Sequence, residues 1–201
     1  MKTNDFSASA HGRLIQTERG YLAFIPAALP PEIEWSPQLI SLLGEAERAL
    51  AHLAAAGEAF PPMMISVKPF VRQEAVSSSR IEGTNTSLRE LYAYEAEQLS
   101  FIESTDAREV QNYVKALEYG LERIETLPVS LRLIRELHEK LMKGVRGDFW
   151  TPGEFRPSQN WIGAAGSTLE SARYVPPPVV EMHTCLHSLE DFIHAPSDLP
   201  D

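Results

Sequence analysis

Five apolar residues, Val110, Val114, Leu117, Leu121 and Ile124, recur at intervals of four, three, four and three. An α-helix gathers all five on one stripe, whereas a strand would scatter them over both faces. The pattern commits the chain from about Asp106 to Ile124 to a helix. Most of the sequence repeats the theme. Trp35-Ser36-Pro37 opens an earlier helix, with Ser36 as N-cap and Pro37 in the first turn, and Leu39, Leu42, Leu43, Ala46, Leu50 and Leu53 keep one face until Gly57. A second runs from about Met63 to Arg80, with Val67, Phe70, Val71 and Ala75 as its expected buried stripe and Pro69 inside it. Ser87-Leu88-Arg89-Glu90 has the form of a capping box and starts a third. Ser130 to Lys143, with Leu131, Ile134, Leu137 and Leu141 inside, and Pro178 to Ile193 supply two more.

The 15 prolines fall mostly between these runs and punctuate them. Residues 147–178 differ in kind: they are rich in glycine and proline, and Gly163-Ala164-Ala165-Gly166 turns between two short extended runs. This segment is expected to be a loop carrying a β-hairpin. The fold class expected is all-α, a helical bundle with one β-hairpin. The first 16 residues are expected to be a flexible arm, and Tyr21 to Pro26 a short extended piece.

Composition narrows the function. The 18 basic and 28 acidic residues give a net charge of −10, which argues against general nucleic-acid binding because phosphates need a basic face. Hydrophobic residues make up 43% of the chain, enough for a core. No run approaches the apolar length of a membrane span, and residues 1–13 lack the apolar stretch of a secretion signal. The single cysteine, Cys185, has no partner for an intramolecular disulfide, so a cytoplasmic setting is expected.

The most informative stretch is Glu74 to Thr84, Glu-Ala-Val-Ser-Ser-Ser-Arg-Ile-Glu-Gly-Thr. Ser78 and Glu82 stand four apart, on one helix face near its C-terminal end. A carboxylate there opposes the helix dipole and calls for a cation from elsewhere. A second reading makes Ser79 and Glu82 the capping box of a new helix. Against it, Gly83 would fall in the first turn. The serine triplet has no histidine nearby in sequence to act as a base, so helix-end serines explain it better than nucleophiles.

The same stretch resembles the inhibitory helix of Fic-family protein adenylyltransferases, whose pattern Ser/Thr-x-x-x-Glu-Gly/Asn is met by Ser78, Glu82 and Gly83. Tyr21 to Pro31, the helix ending at Gly57, the sequence after Pro128, Pro152-Gly153-Glu154-Phe155-Arg156 and Tyr174-Val175-Pro176-Pro177 extend the resemblance, in order, over about residues 15 to 195. It implies a Fic-like bundle. Residues 17–100 would be the N-terminal domain with its inhibitory helix, and 101–201 the first part of the core. It implies a protein that transfers AMP from ATP, with Mg²⁺, to hydroxyl side chains of target proteins. In such proteins the glutamate matching Glu82 pairs with an arginine that otherwise grips the γ-phosphate, with Ser78 and Gly83 as supporting neighbours. The hairpin would be the flap, which docks the target by strand addition. Its candidates are Asn160, Trp161, Ile162 and Gly163, with a return run at Ala172 to Val175 that includes Tyr174. From the residues alone, a surface loop whose aromatics pack on the helices is the favoured reading.

The family's catalytic motif, His-Pro-Phe-x-x-Gly-Asn-Gly-Arg-x-x-x-Arg, does not occur in the 201 residues. The chain is therefore expected to be an N-terminal portion, inactive alone and without tight binding of ATP or Mg²⁺. The alternative is a non-enzymatic, antitoxin-like regulator that lends Glu82 to a Fic partner. A helical scaffold without a nucleotide role is a third reading. Apolar helix faces left uncovered would favour self-association, so a homodimer is a candidate partner beside the target protein. His183 and His187 could begin a zinc site, but two further ligands are not evident. Arg146-Gly147-Asp148 reads as a turn, and Cys185 as a small buried residue.

Overall fold

The computed structural model describes residues 11–59, 64–96, 105–145 and 151–196 of the chain. Among them it is a helical bundle fold of six helices, at the places the periodicities require, with one antiparallel β-hairpin formed by the first two elements near the start of the chain. In order these are β1 (Gly12–Gln16), β2 (Leu22–Pro26), α1 (Pro37–Ala59), α2 (Met64–Ile81), α3 (Leu88–Ala96), α4 (Thr105–Arg123), α5 (Leu131–Leu141) and α6 (Val179–His194). None of these helices is long and apolar enough to cross a membrane. The described residues fall into two compact units. One comprises 11–33, 127–134 and 154–196, and the other 34–126 and 135–153 without the undescribed positions.

The second unit is built on α2, α3 and α4. Ala75 and Val76 of α2, Leu91 of α3 and Val110 and Val114 of α4 form its buried cluster, with Val71, Leu88 and Tyr113 packed around it. Burying a side chain the size of leucine or valine stabilises by about 1.5–3 kcal/mol, so this small cluster holds three helices together. Arg72 reinforces it: its Nε lies 2.8 Å from Glu95 on α3, and its Nη1 3.9 Å from Glu118 on α4. The hydrogen bond to Glu95 raises the Arg72 pKa despite partial burial. The expected stripe of α2 is only half right. Val67 is 42% and Phe70 73% exposed, because α3 and α4 cover the helix only from Val71 onward. In α1 no residue is buried, although its apolar face is as regular as expected.

Helix α3 begins at a capping box. The Glu90 amide donates to Ser87 Oγ at 3.2 Å, and the Ser87 amide donates to Glu90 Oε2 at 2.7 Å. Each side chain satisfies an amide that the first helical turn leaves unpaired. Helix α4 packs on the C-terminal half of α5 through Gly120, whose missing side chain admits Leu137. Tyr119 Oη and Arg123 Nε both donate to Glu136, at 2.7 and 3.0 Å.

The first unit centres on β1–β2, paired with Leu14 opposite Phe24 and Gly12 opposite Pro26. Gly12–Gln16 thus form a strand rather than the end of a loose arm, because Leu14 and Ile15 have β2 to pair with; residues 1–10 lie outside the described residues. Tyr21, Ala23, Ala172 and Val175 make the core here, with Ile15 and Leu169 packed against it. Ser130 Oγ caps α5 by accepting from the Leu133 amide, and Glu190 of α6 accepts from the Leu131 amide at 2.8 Å. A carboxylate at a helix N-terminus is favoured by the dipole. Within α5 it is Leu133 that is buried, while the expected Ile134 is 38% exposed.

Candidate functional site

The helix that carries Ser78 and Glu82 ends where it does for a local reason. Gly83 has φ +93°, a left-handed conformation that costs glycine little. Its amide donates to Arg80 O and the Thr84 amide to Ser79 O, both at 3.1 Å. These are the two bonds of a Schellman motif, which satisfies carbonyls the last turn would leave unpaired. Glu82 is therefore the C-cap of α2, one residue past Ile81, and not the third residue of a new helix, and the reading of Ser79 and Glu82 as a capping box falls. That role belongs to Ser87 and Glu90.

Ser78 turns away from Glu82. Its hydroxyl donates to Glu74 Oε1, one turn back along α2, at 2.6 Å. Glu82 is exposed, and its carboxylate has no ion pair or hydrogen bond among the described residues. The helix end offers it repulsion rather than a partner. Beyond Gly83 the backbone is firmly placed: the Asn85 amide donates to Asp106 Oδ2 on α4 at 2.9 Å, and Thr84 and Thr86 are buried. The Thr84 hydroxyl has no hydrogen-bond partner among the described residues. So a charged, uncommitted side chain stands beside a fixed backbone.

The flap candidates lie in the first unit. Ile162 and Tyr174 exchange both backbone hydrogen bonds, at 2.8 and 3.0 Å, in an isolated antiparallel bridge. The hairpin expected here is thus a single bridge; Gly163 to Ser171 are taken up by turns, including Ser167 N to Ala164 O and a Thr168–Ser171 turn. Trp161 Nε1 donates to Ser167 O at 3.1 Å and ties the outgoing run to the turn. Asn160, Trp161, Ile162 and Gly163 are all exposed, Ile162 at 64%.

Sequence reasoning missed what fastens the base of this loop. Arg156 donates to Ser158 O and Pro177 O, at 2.7 and 2.5 Å, and Gln159 Nε2 donates to Pro176 O at 3.1 Å. Burial lowers the Arg156 pKa, the expected cost of withdrawing a guanidinium from water. The signal was present in Arg156 preceding a proline-rich return run, whose carbonyls have few amide donors of their own. The return run also leans on the hairpin: the Phe24 amide donates to Val175 O at 2.9 Å, and the rings of Phe24 and Tyr174 lie 6.2 Å apart. Burial raises the Tyr174 pKa.

Residues 40–122 match the profile of the family described as Fic/DOC family N-terminal. The match runs from the first turn of α1 through α2 and α3 to the end of α4, and these residues form a Fic-family-like helical domain. Ser78, Glu82 and Gly83 fall inside it; the flap candidates fall outside. No curated protein matches the chain.

The remaining candidates resolve simply. No group of three or more histidine, cysteine or acidic side chains that could hold a metal occurs among the described residues. His187 Nδ1 is engaged with His183 O at 2.7 Å, within its own helix. Cys185 is half-buried, and burial raises its pKa. Arg146-Gly147-Asp148 lies outside the described residues.

Proposed function

We propose that this chain is the regulatory and target-docking part of a self-inhibited Fic protein, one that transfers AMP from ATP to hydroxyl side chains of target proteins in the cytoplasm. The observation that carries the reading is the unpaired, exposed Glu82 at the α2 terminus, inside the segment that matches the family's N-terminal domain. Glu82 is the clamp. It pairs with the arginine of the catalytic motif that would otherwise hold the γ-phosphate of ATP. A carboxylate–guanidinium pair in a partly dry site is strong and directional. Nucleotidyl transfer depends on charge placed around the phosphates, so occupying one clamp suppresses the rate. Gly83 sets the position of Glu82 by ending the helix. Ser78 holds Glu74 and keeps that neighbouring carboxylate from the same arginine.

The Ile162–Tyr174 bridge supports the docking role. Ile162 spends its N–H and C=O on Tyr174, so the backbone groups of Trp161 and Gly163 face the other way. An extended segment of the target adds there as a further strand and places its hydroxyl over the catalytic site.

The chain contains no His-Pro-Phe and no Gly-Asn-Gly-Arg. We assign ATP and Mg²⁺ to the catalytic motif that Glu82 inhibits. The test adds purified chain to a Fic adenylyltransferase whose own inhibitory glutamate has been replaced, and follows transfer of AMP from labelled ATP. Suppression by the chain, relieved by Glu82→Gly, is the expected result. Equal transfer with the two chains overturns the proposal. The chain alone transfers no AMP.

A further inference from the structure

The second unit contains a cavity of about 610 Å³ between Tyr94 of α3, the face of α4 and the end of α5. Arg108, Lys115, Lys140 and Lys143 line it, and among the described residues no acidic one does. In a chain of net charge −10, four cations around one hollow are conspicuous. None of the four belongs to an ion pair among the described residues; Glu95 and Glu118 lie against Arg72, and Glu136 against Arg123. We propose that this cavity binds a small anion bearing several phosphates.

A purely structural reading explains part of the cluster. The end of a helix carries about half a negative charge, which favours a cation nearby. Asn112 Nδ2 already donates to Leu141 O and Lys143 O, at 3.0 and 2.9 Å, and Arg108 Nη1 donates to Gly144 O at 3.2 Å. Half a charge, largely answered by these bonds, accounts for one cation. Three remain. Lys140 sits 3.9 Å from the centre of the Tyr119 ring, and Lys115 donates to Gln111 Oε1 at 2.8 Å. These contacts orient the two ammonium groups and leave their charge uncompensated. Among the described residues Lys143 makes no side-chain contact of this kind, and the other guanidinium N–H groups of Arg108 have no acceptor. Like charges gathered in a concave wall repel one another, and a multivalent anion relieves that repulsion.

Shape selects the class of ligand. The volume lies within the range of about 300–1,000 Å³ typical of small-molecule sites. Nucleic acid would require a basic stripe extending over the surface, which an acidic chain with its cations in one hollow does not offer. Several cations facing one space suit an oligophosphate better than a single carboxylate or phosphate. Buried Gln111 and Asn112 fix the wall, and Tyr94 gives it one aromatic edge.

The test is calorimetric titration of the 201-residue chain with inorganic tripolyphosphate, with single phosphate and ATP as parallel ligands, all without Mg²⁺. Expected is saturable one-site binding of tripolyphosphate that weakens as salt rises from about 0.05 to 0.5 M. Lys115→Gln and Lys143→Gln, both at exposed side chains, should each weaken it about tenfold, as loss of a charged contact does. Lys68→Gln, on α2 away from the cavity, should change nothing. ATP binding no tighter than tripolyphosphate means that phosphates alone are recognised, and tighter ATP binding that Tyr94 adds a base contact; both outcomes support the site if the two lysine variants weaken them. No saturable binding overturns the proposal, as does binding unaffected by Lys115→Gln and Lys143→Gln in variants with unchanged far-UV circular dichroism. Equal affinity for single phosphate overturns the multivalent reading.

Discussion

Ser78 is hydrogen-bonded to Glu74 at 2.6 Å and not to Glu82, although both glutamates lie four residues from it. The serine therefore engages one carboxylate of the α2 end and leaves the other available. The two residues should separate in experiment. Ser78→Ala removes one partly exposed hydrogen bond, worth about 0.5–1.5 kcal/mol, and should leave most of the inhibition of a Fic partner intact. If Glu82 is the clamp proposed above, Glu82→Gly should raise AMP transfer about tenfold or more, since it would remove the charge that competes with a phosphate. Matched labelling assays on the two variants check this; equal effects would mean that Ser78 and Glu82 act as one unit.

Gly83 offers a cleaner test of backbone control. Nothing lies within 4 Å of where its Cβ would stand, so Gly83→Ala meets no steric obstacle. The whole cost is the left-handed conformation, about 1–2 kcal/mol. Gly83→Asn should cost less, because asparagine tolerates that region. Chemical denaturation of the three proteins should rank them Gly, Asn, Ala. An alanine variant as stable as the original would mean that the Schellman turn does not fix the end of α2.

Asn112 is a buried polar residue inside α4, and both its amide hydrogens are used on carbonyls at the end of α5. Asn112→Ala should cost about 1–3 kcal/mol, the penalty of leaving buried acceptors unsatisfied. Asn112→Leu should fare no better, since it fills space without supplying a donor. Denaturation midpoints at constant slope measure both.

Stability should also carry a pH signature from the α3 cap. The hydrogen bonds from Ser87, backbone first and hydroxyl second, hold the Glu90 pKa below the ordinary glutamate range. A lowered folded-state pKa means that the cap contributes fully above the unfolded value and is lost as pH falls through the folded one. Glu90→Gln should therefore flatten the acid side of the melting-temperature profile while changing little between pH 6 and 8, an interval well above about 4.3, the unperturbed glutamate value. An unchanged acid limb would remove Glu90 from the account.

Helix positions were legible because periodicity and caps are local. Ser36, Ser87, Ser130 and Gly83 do in the structure what their types suggest. Burial was less legible, because it depends on which faces find a partner. Val67, Phe70 and α1 have regular apolar faces that are left largely exposed, and Leu133 is buried where Ile134 was expected. Strand β1 escaped notice because its pairing with β2 is set across a turn that includes Gly20 and not by its own five residues. Of the site, Glu82 was legible as a misplaced charge. The cationic hollow was not, since Arg108 and Lys143 are brought together by the docking of α4 and α5.

The Asn112 bridge ties the hollow to folding. The lining from α4 and α5 exists as one surface only in the folded chain, where those two carbonyl contacts help to hold it, so an anion bound there belongs to the folded chain and not to the unfolded one. Occupancy then becomes stability: ligand at a hundred times its dissociation constant adds about 2.7 kcal/mol. The domain would be sturdier in a phosphate-rich cell than in dilute buffer, and its melting point would track the concentration of its ligand.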